Sequence, residues 1–266
     1  MKKLFTSFIL GLLGLSLTGC GTSVGYYSDA DKYTAGNKEY NDVVLSLDVD
    51  WISGNLTLVP DIEVNGVFVN EETNISNEKG LVHSYLNNGE LKIKYGASGY
   101  HFPTSFKQIK KDLEIRYNPV TNFLNKISID LTSGRLTASE INTKEFSLDM
   151  TSGRANIQSL TCEKGDVDLT SGELTISSLS ADEFDVDMTS GYFDVSFLKE
   201  CQASFDMTSG TIKTTLPSEG GTVKVSKTSG SVTTNRECTI QGNTYTFGNG
   251  NTNIKVSMTS GKLIIS

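Results

Sequence analysis

The chain has 266 residues, with 31 Asp+Glu against 23 Lys+Arg, a formal charge of −8, two His, four Cys, four Pro and 25 Gly. About 60 Ser and Thr residues disfavour a helical bundle, because their side chains compete for the helical backbone's hydrogen bonds. The acidic balance argues against nucleic acid, and His83 and His101, with no Cys pair nearby, argue against a tetrahedral zinc site. In chain order, residues 1–19 read as a lipoprotein signal peptide. Lys2 and Lys3 form the basic region, and Leu4 to Leu17 form an apolar stretch too short to span a bilayer. The stretch ends in Leu17-Thr18-Gly19-Cys20, which has the form of a lipobox. Cys20 is therefore the expected lipidation site, its thiol taking diacylglycerol with palmitate-type acyl chains, and two such chains hold a protein stably on a membrane. Residues 20–40 are rich in Gly, Ser, Thr, Asp and Lys and read as a lipidated Cys followed by a flexible tether.

Residues 41–266 read as one domain. Val49-Asp50-Trp51-Ile52-Ser53-Gly54 opens it, with Trp51 at an inward position as a core plug or end cap. Val67–Val69, Leu91–Tyr95 and Leu113–Tyr117 read as further strands, separated by turns such as Asn87-Asn88-Gly89. From there the tripeptide Thr-Ser-Gly recurs with its glycine at Gly134, Gly153, Gly172, Gly191, Gly210, Gly230 and Gly261. The first four steps span 19 residues each, and a fixed period of this kind marks a solenoid. Before each corner, apolar residues alternate with aspartate, as in Val167-Asp168-Leu169 and Val186-Asp187-Met188. That period of two predicts a strand with an apolar inner face and an acidic outer face. After the corner the alternation resumes, and a further apolar residue follows at Ile141, Leu160, Leu179 and Leu198. The fold class is all-β, a parallel β-solenoid of about 19-residue coils, looser in its amino-terminal half. The glycine corners are expected to need positive φ. Phe247-Gly248-Asn249-Gly250-Asn251 reads as a turn-rich insertion in the penultimate coil, and Asn253 to Ile265 as the last coil.

The segment DWISGNLTL, the segment KKDLEIRYNP and the run of D-[LM]-TSG coils resemble the bacterial DUF4097 family. Its members are β-strand-repeat proteins described as candidate adhesins. The resemblance covers about residues 41–266 and implies a right-handed parallel β-solenoid on the cell envelope, without catalytic residues to carry over. An envelope-stress accessory role is implied by the resemblance alone.

The chemistry candidates are few. Serines repeated at every corner behave as structure rather than as a nucleophile. The carboxylates recur in register without distinct acid and base surroundings, which disfavours glycan cleavage, so no catalytic residue is assigned and the protein reads as non-enzymatic. Arg135, Arg154 and Glu173 read as a solvated, salt-bridged column. The remaining cysteines, Cys162, Cys201 and Cys238, read as small apolar fillers, with Cys201–Cys238 the only bridge worth considering. Lys107 to Lys111 reads as a solvated basic loop, with contact to anionic lipid or polymer as the alternative. The acidic column Asp130, Asp149, Asp168, Asp187 and Asp206 has two readings. In one, each carboxylate accepts a hydrogen bond from the following corner amide and its pKa falls. In the other, neighbours repel, the pKa rises, and Asp166, Asp168, Asp185 and Asp187 hold weak Ca2+. No other cofactor is expected. The expected partners are a membrane, through the lipid anchor on the extracytoplasmic face, and an envelope or surface ligand, with a divalent-cation or glycan-binding module as the alternative function.

Overall fold

The computed structural model describes residues 23–102, 109–121 and 123–266, so the expected signal peptide and the expected lipidation site Cys20 lie outside the described residues. The protein is all-β, built as one 13-stranded and one 11-stranded sheet whose inner faces share a single core. Each rung of the stack gives one strand to each sheet, and a corner joins the two strands. From Lys126–Leu131 to Gln202–Met207 in the first sheet, and from Arg135–Asn142 to Thr211–Thr215 in the second, neighbouring strands are parallel. Arg135, Arg154, Glu173, Tyr192 and Thr211 stand in one column, so the register advances by the sequence period. The alternation read from sequence is the burial pattern observed: Ile129, Leu148, Val167, Val186 and Phe205 are buried, and the aspartates beside them face out. Among the described residues no helix is long and apolar enough to cross a membrane.

The Thr-Ser-Gly corner is a hydrogen-bond ladder between rungs. The Ser152 amide and hydroxyl both donate to the Thr132 carbonyl, and the Ser190 and Ser209 pairs do the same to Thr170 and Thr189. The residue after each glycine donates to the carbonyl of the glycine one rung back, as Tyr192 does to Gly172. This close stacking is why glycine is needed. A Cβ on Gly191, where φ is +118°, would lie 2.3 Å from the Gly172 carbonyl oxygen. Gly134 departs from the expected positive φ, but a Cβ there would still meet the Gly54 oxygen at 2.7 Å. One inward position also differs from expectation: Leu198 is 62% exposed, and Phe197 fills the slot opposite Leu179 after a register shift.

The ends of the stack depart from sequence order. At the amino-terminal end the rung Glu90–Lys94/Lys111–Tyr117 lies outside the rung Ser46–Trp51/Asn55–Pro60, which itself pairs with Lys126–Leu131/Arg135–Asn142. At the other end the last rung in sequence, Thr252–Met258/Lys262–Ile265, inserts between Gln202–Met207/Thr211–Thr215 and Gly220–Lys227/Ser231–Thr234. Phe247 and Gly248 of the turn-rich segment end the strand Thr244–Gly248, which pairs antiparallel with Thr239–Gln241 and with Gly220–Lys227, and the amides of Asn249 and Gly250 then donate to the Glu219 carbonyl in the turn. The expected tether is also corrected. Thr34–Ala35 and Lys38–Tyr40 pair antiparallel with His83–Asn87 and Val67–Thr73, Ser23 bridges to His101, and Val24 and Tyr40 are buried. Strands of two or three residues are too short to show periodicity in a sequence, so residues 23–40 resembled a linker while closing the sheet edges.

Candidate functional site

The outer face of the first sheet carries the main chemical feature. Lys94, Asp50, Asp130, Asp149, Asp168, Asp187, Asp206 and Ser257 occupy successive rungs of one column. Parallel strands lie about 4.8 Å apart, so each carboxylate has a like-charged neighbour at that distance. Asp130 is exposed at the surface, yet its neighbours crowd water from its carboxyl group. This burial, together with the hydrogen bonds and charges of Asp50 and Asp149, pushes Asp130 up to about 8. Burial and then the Asp149 carboxylate push Asp168 to about 6. Asp185 and Asp187 are raised too, by burial first and then by neighbouring carboxylates. The corner amides donate to backbone carbonyls one rung back rather than to aspartate, which corrects the reading that each aspartate fixes its corner. The ladder is therefore a strained acidic array held in register by the strands beneath it.

Asp166 and Asp185 pair in the adjacent column, beside Asp168 and Asp187. Among the described residues, however, no three acidic, histidine or cysteine side chains are arranged to hold a metal ion. The residues expected to hold calcium, Asp166, Asp168, Asp185 and Asp187, stand on two adjacent rungs. What the ladder does form is a shallow groove of about 300 Å³. Asp168, Asp187 and Asp206 make one wall, and Thr170, Thr189 and Thr208 of the corners make the other.

At the amino-terminal end the ladder meets aromatic residues. Lys94 Nζ lies 2.5 Å from Asp50 and 3.6 Å from Asp48, which gives the ladder a cationic cap. Behind it, Trp51 is 1% exposed and stacks edge-on against Tyr95, with ring centroids 4.8 Å apart. Lys111 is buried with them. Its ammonium pairs with Glu71, donates to the Gly80 carbonyl at 2.6 Å, and lies 4.6 Å from the Tyr95 ring centre and 5.4 Å from Trp51. Burial lowers the Lys111 pKa, and the Glu71 carboxylate opposes that shift. The solvated basic loop expected here is thus corrected at Lys111. Lys110 pairs at the surface with Glu72 at 2.5 Å, and Lys107 lies outside the described residues. Sequence reasoning missed both Lys94 and Lys111 as functional neighbours of the ladder, because their placement depends on the exchanged order of the first rungs.

The other candidates are structural. Cys162 and Cys201 are buried free thiols, pushed to about 12 by burial, and Cys238 is free as well. Arg154 and Glu173 form a half-exposed ion pair at 2.6 Å. The His83 ring nitrogen Nδ1 lies 2.8 Å from the Leu81 carbonyl oxygen.

A sequence profile described as Toastrack DUF4097 matches residues 67–263. Among solved structures, a candidate adhesin from Bacteroides fragilis is 12% identical with a TM-score of 0.51, over 86% of this chain and 96% of that one. A candidate cell adhesion protein from Clostridium sporogenes is 18% identical, over 88% and 99% of the two chains, with a TM-score of 0.42. A candidate lipid binding protein from Parabacteroides distasonis is 13% identical, over 88% and 97%, with a TM-score of 0.45. At these identities the likeness is one of fold. No curated protein matches the chain.

Proposed function

The chain belongs to the Toastrack DUF4097 family, and from that premise we propose that it is a lipid-anchored, non-enzymatic envelope protein whose right-handed β-solenoid presents an adhesive surface. The observation that carries the reading is the groove along the acidic ladder. Its walls of carboxylate and threonine repeat once per rung, a geometry suited to an extended polymer with its own repeat rather than to one small substrate. Right-handed crossovers are the rule for parallel strands joined within a sheet. The similar fold of the candidate adhesin from Bacteroides fragilis supports a surface-attachment reading.

Anchoring at Cys20 would hold the domain close to the bilayer. Only Gly21 and Thr22 separate Cys20 from Ser23, which already pairs with His101. Two or three residues reach about 10 Å even when fully extended, so the rungs near Ser23 would sit at the membrane surface on the extracytoplasmic side. Two experiments test these parts separately. Cys20→Ser should release the protein from the membrane fraction or leave an uncleaved precursor, and retention at mature mass rejects the anchor. Beads carrying the domain should retain isolated envelope polymers, and Asp149→Asn, Asp168→Asn and Asp187→Asn combined should abolish retention. Equal retention by the variant rejects the ladder as the adhesive surface.

A further inference from the structure

Where the ladder meets the amino-terminal aromatic residues, the protein has a recess of about 440 Å³, distinct from the groove along the rungs. Ligand pockets of this size are usually apolar with a few convergent polar groups, and this one has that character. Tyr26 stands at its rim, 90% exposed, with its ring lying over Gly99, where a Cβ would come within 2.6 Å of it. Tyr27 forms a wall and is fixed by its hydroxyl, which donates to the Gly96 carbonyl at 3.0 Å. Trp51 and Tyr95 lie beneath, and the polar side is made by Asp50, Asp130 and Lys94. Trp51 closes the floor, 1% exposed, with its Nε1–H buried.

The charges decide which ligand fits. Lys94 lies against Asp50, so a cationic ligand would meet an ammonium already in place. Asp48 and Asp50 face an anionic ligand with like charge. A purely apolar ligand would bury carboxylates without giving them donors. A sugar ring meets each demand, since its hydroxyls both donate and accept and its C–H face lies flat on an aromatic ring. We propose that this recess is a saccharide-binding subsite, in which Tyr26 stacks on a neutral sugar ring while Asp50, Asp130 and Lys94 hydrogen-bond its hydroxyls. The subsite rests on the adhesive reading and gives it a ligand class. Asp130 enters as the protonated partner near neutral pH, being raised to about 8 with Asp50 and Asp149 on the neighbouring rungs. Lys94 and Asp48 are the other charges facing this cluster.

Trp51 is the only tryptophan of the chain, so its fluorescence reports on the recess directly. Purified protein, residues 20–266, is titrated with cellotetraose, triacetylchitotriose and mannotriose, with choline as the cationic control. At least one oligosaccharide should give a saturable change. Tyr26→Ala should weaken it by about tenfold, the value of one aromatic contact, with no change in melting temperature. Binding should weaken as Asp130 ionises on raising pH through about 8, and Asp130→Asn, which cannot ionise, should lose that pH dependence. No saturable change with any of the three sugars overturns the proposal, as does preferential binding of choline or full binding by Tyr26→Ala. The titration uses free protein and defined sugars, whereas the adhesion assay reads the ladder with polymer, so either can fail alone.

Discussion

Between Lys126 and Thr215 each rung rests on a near copy of itself, whereas between Ser23 and Tyr117 only the rung Ser46–Trp51/Asn55–Pro60 keeps that pattern. In the repeated region the same contacts recur: inward aliphatic and aromatic residues stack on their equivalents, and the corner serine and glycine bond to the rung behind. Stability there is a sum of similar nearest-neighbour terms. The amino-terminal end has a neighbour on one side only, and it closes the stack with short antiparallel strands and a buried Lys111–Glu71 pair among aromatic rings. The difference teaches that the interior tolerates change through redundancy, while the end depends on a few groups that nothing duplicates.

The largest expected effect tests that dependence at the end. Lys111→Met leaves the Glu71 carboxylate buried without its cation, and breaking such a pair costs about 3–5 kcal/mol. Urea unfolding should show this loss, and adding Glu71→Leu should restore most of it, because removing both charges removes the desolvation cost. A small effect from the single variant would mean that the end is as redundant as the middle. Within the repeats the corresponding weak point is a corner. Gly191→Ala forces a side chain to φ +118° against the Gly172 oxygen and should cost about 1–3 kcal/mol. Gly242→Ala, in the carboxyl-terminal hairpin at φ +62° with nothing within 4 Å, should lie at the bottom of that range. Equal losses at the two positions would show that close stacking is not what the corners require.

The third test concerns the ladder that links the two regions. Asp130 and Asp168 have folded pKa values of about 8 and about 6, above the usual carboxylate value near 3.9. The folded state therefore binds more protons than the unfolded state in this window, and stability falls as pH rises through it. The midpoint of thermal unfolding should drop between about pH 5 and about pH 8. Asp130→Asn should remove the upper part of that slope and Asp168→Asn the lower part. A midpoint that rises with pH would show that the aspartates are held as anions by donors. The smallest effect belongs to Arg154, whose half-exposed ion pair with Glu173 should be worth only about 0.2–1 kcal/mol when Arg154→Ala removes it.

The sequence by itself determined the strand class, the inward and outward faces, the corner positions and the rows of aspartate. Each of these is local: alternation at period two sets a face, and a repeated Thr-Ser-Gly sets a bend. Alignment of Asp50 with Asp130 and of Trp51 with Leu131 was legible for the same reason. Only the tertiary structure decided which rung lies beside which. The rungs ending at Gly230 and Gly261 carry the same corner motif, and nothing local tells either to pair with the rung of Gly210. The later one takes that place, with Ser266 bonded to Thr214 and Leu216, leaving the earlier one outside with its hairpin. The same exchange at the other end brings Lys94 onto Asp50 and encloses Lys111 beside Trp51. Those contacts join residues far apart in the chain, so they exist only once the stacking order is chosen.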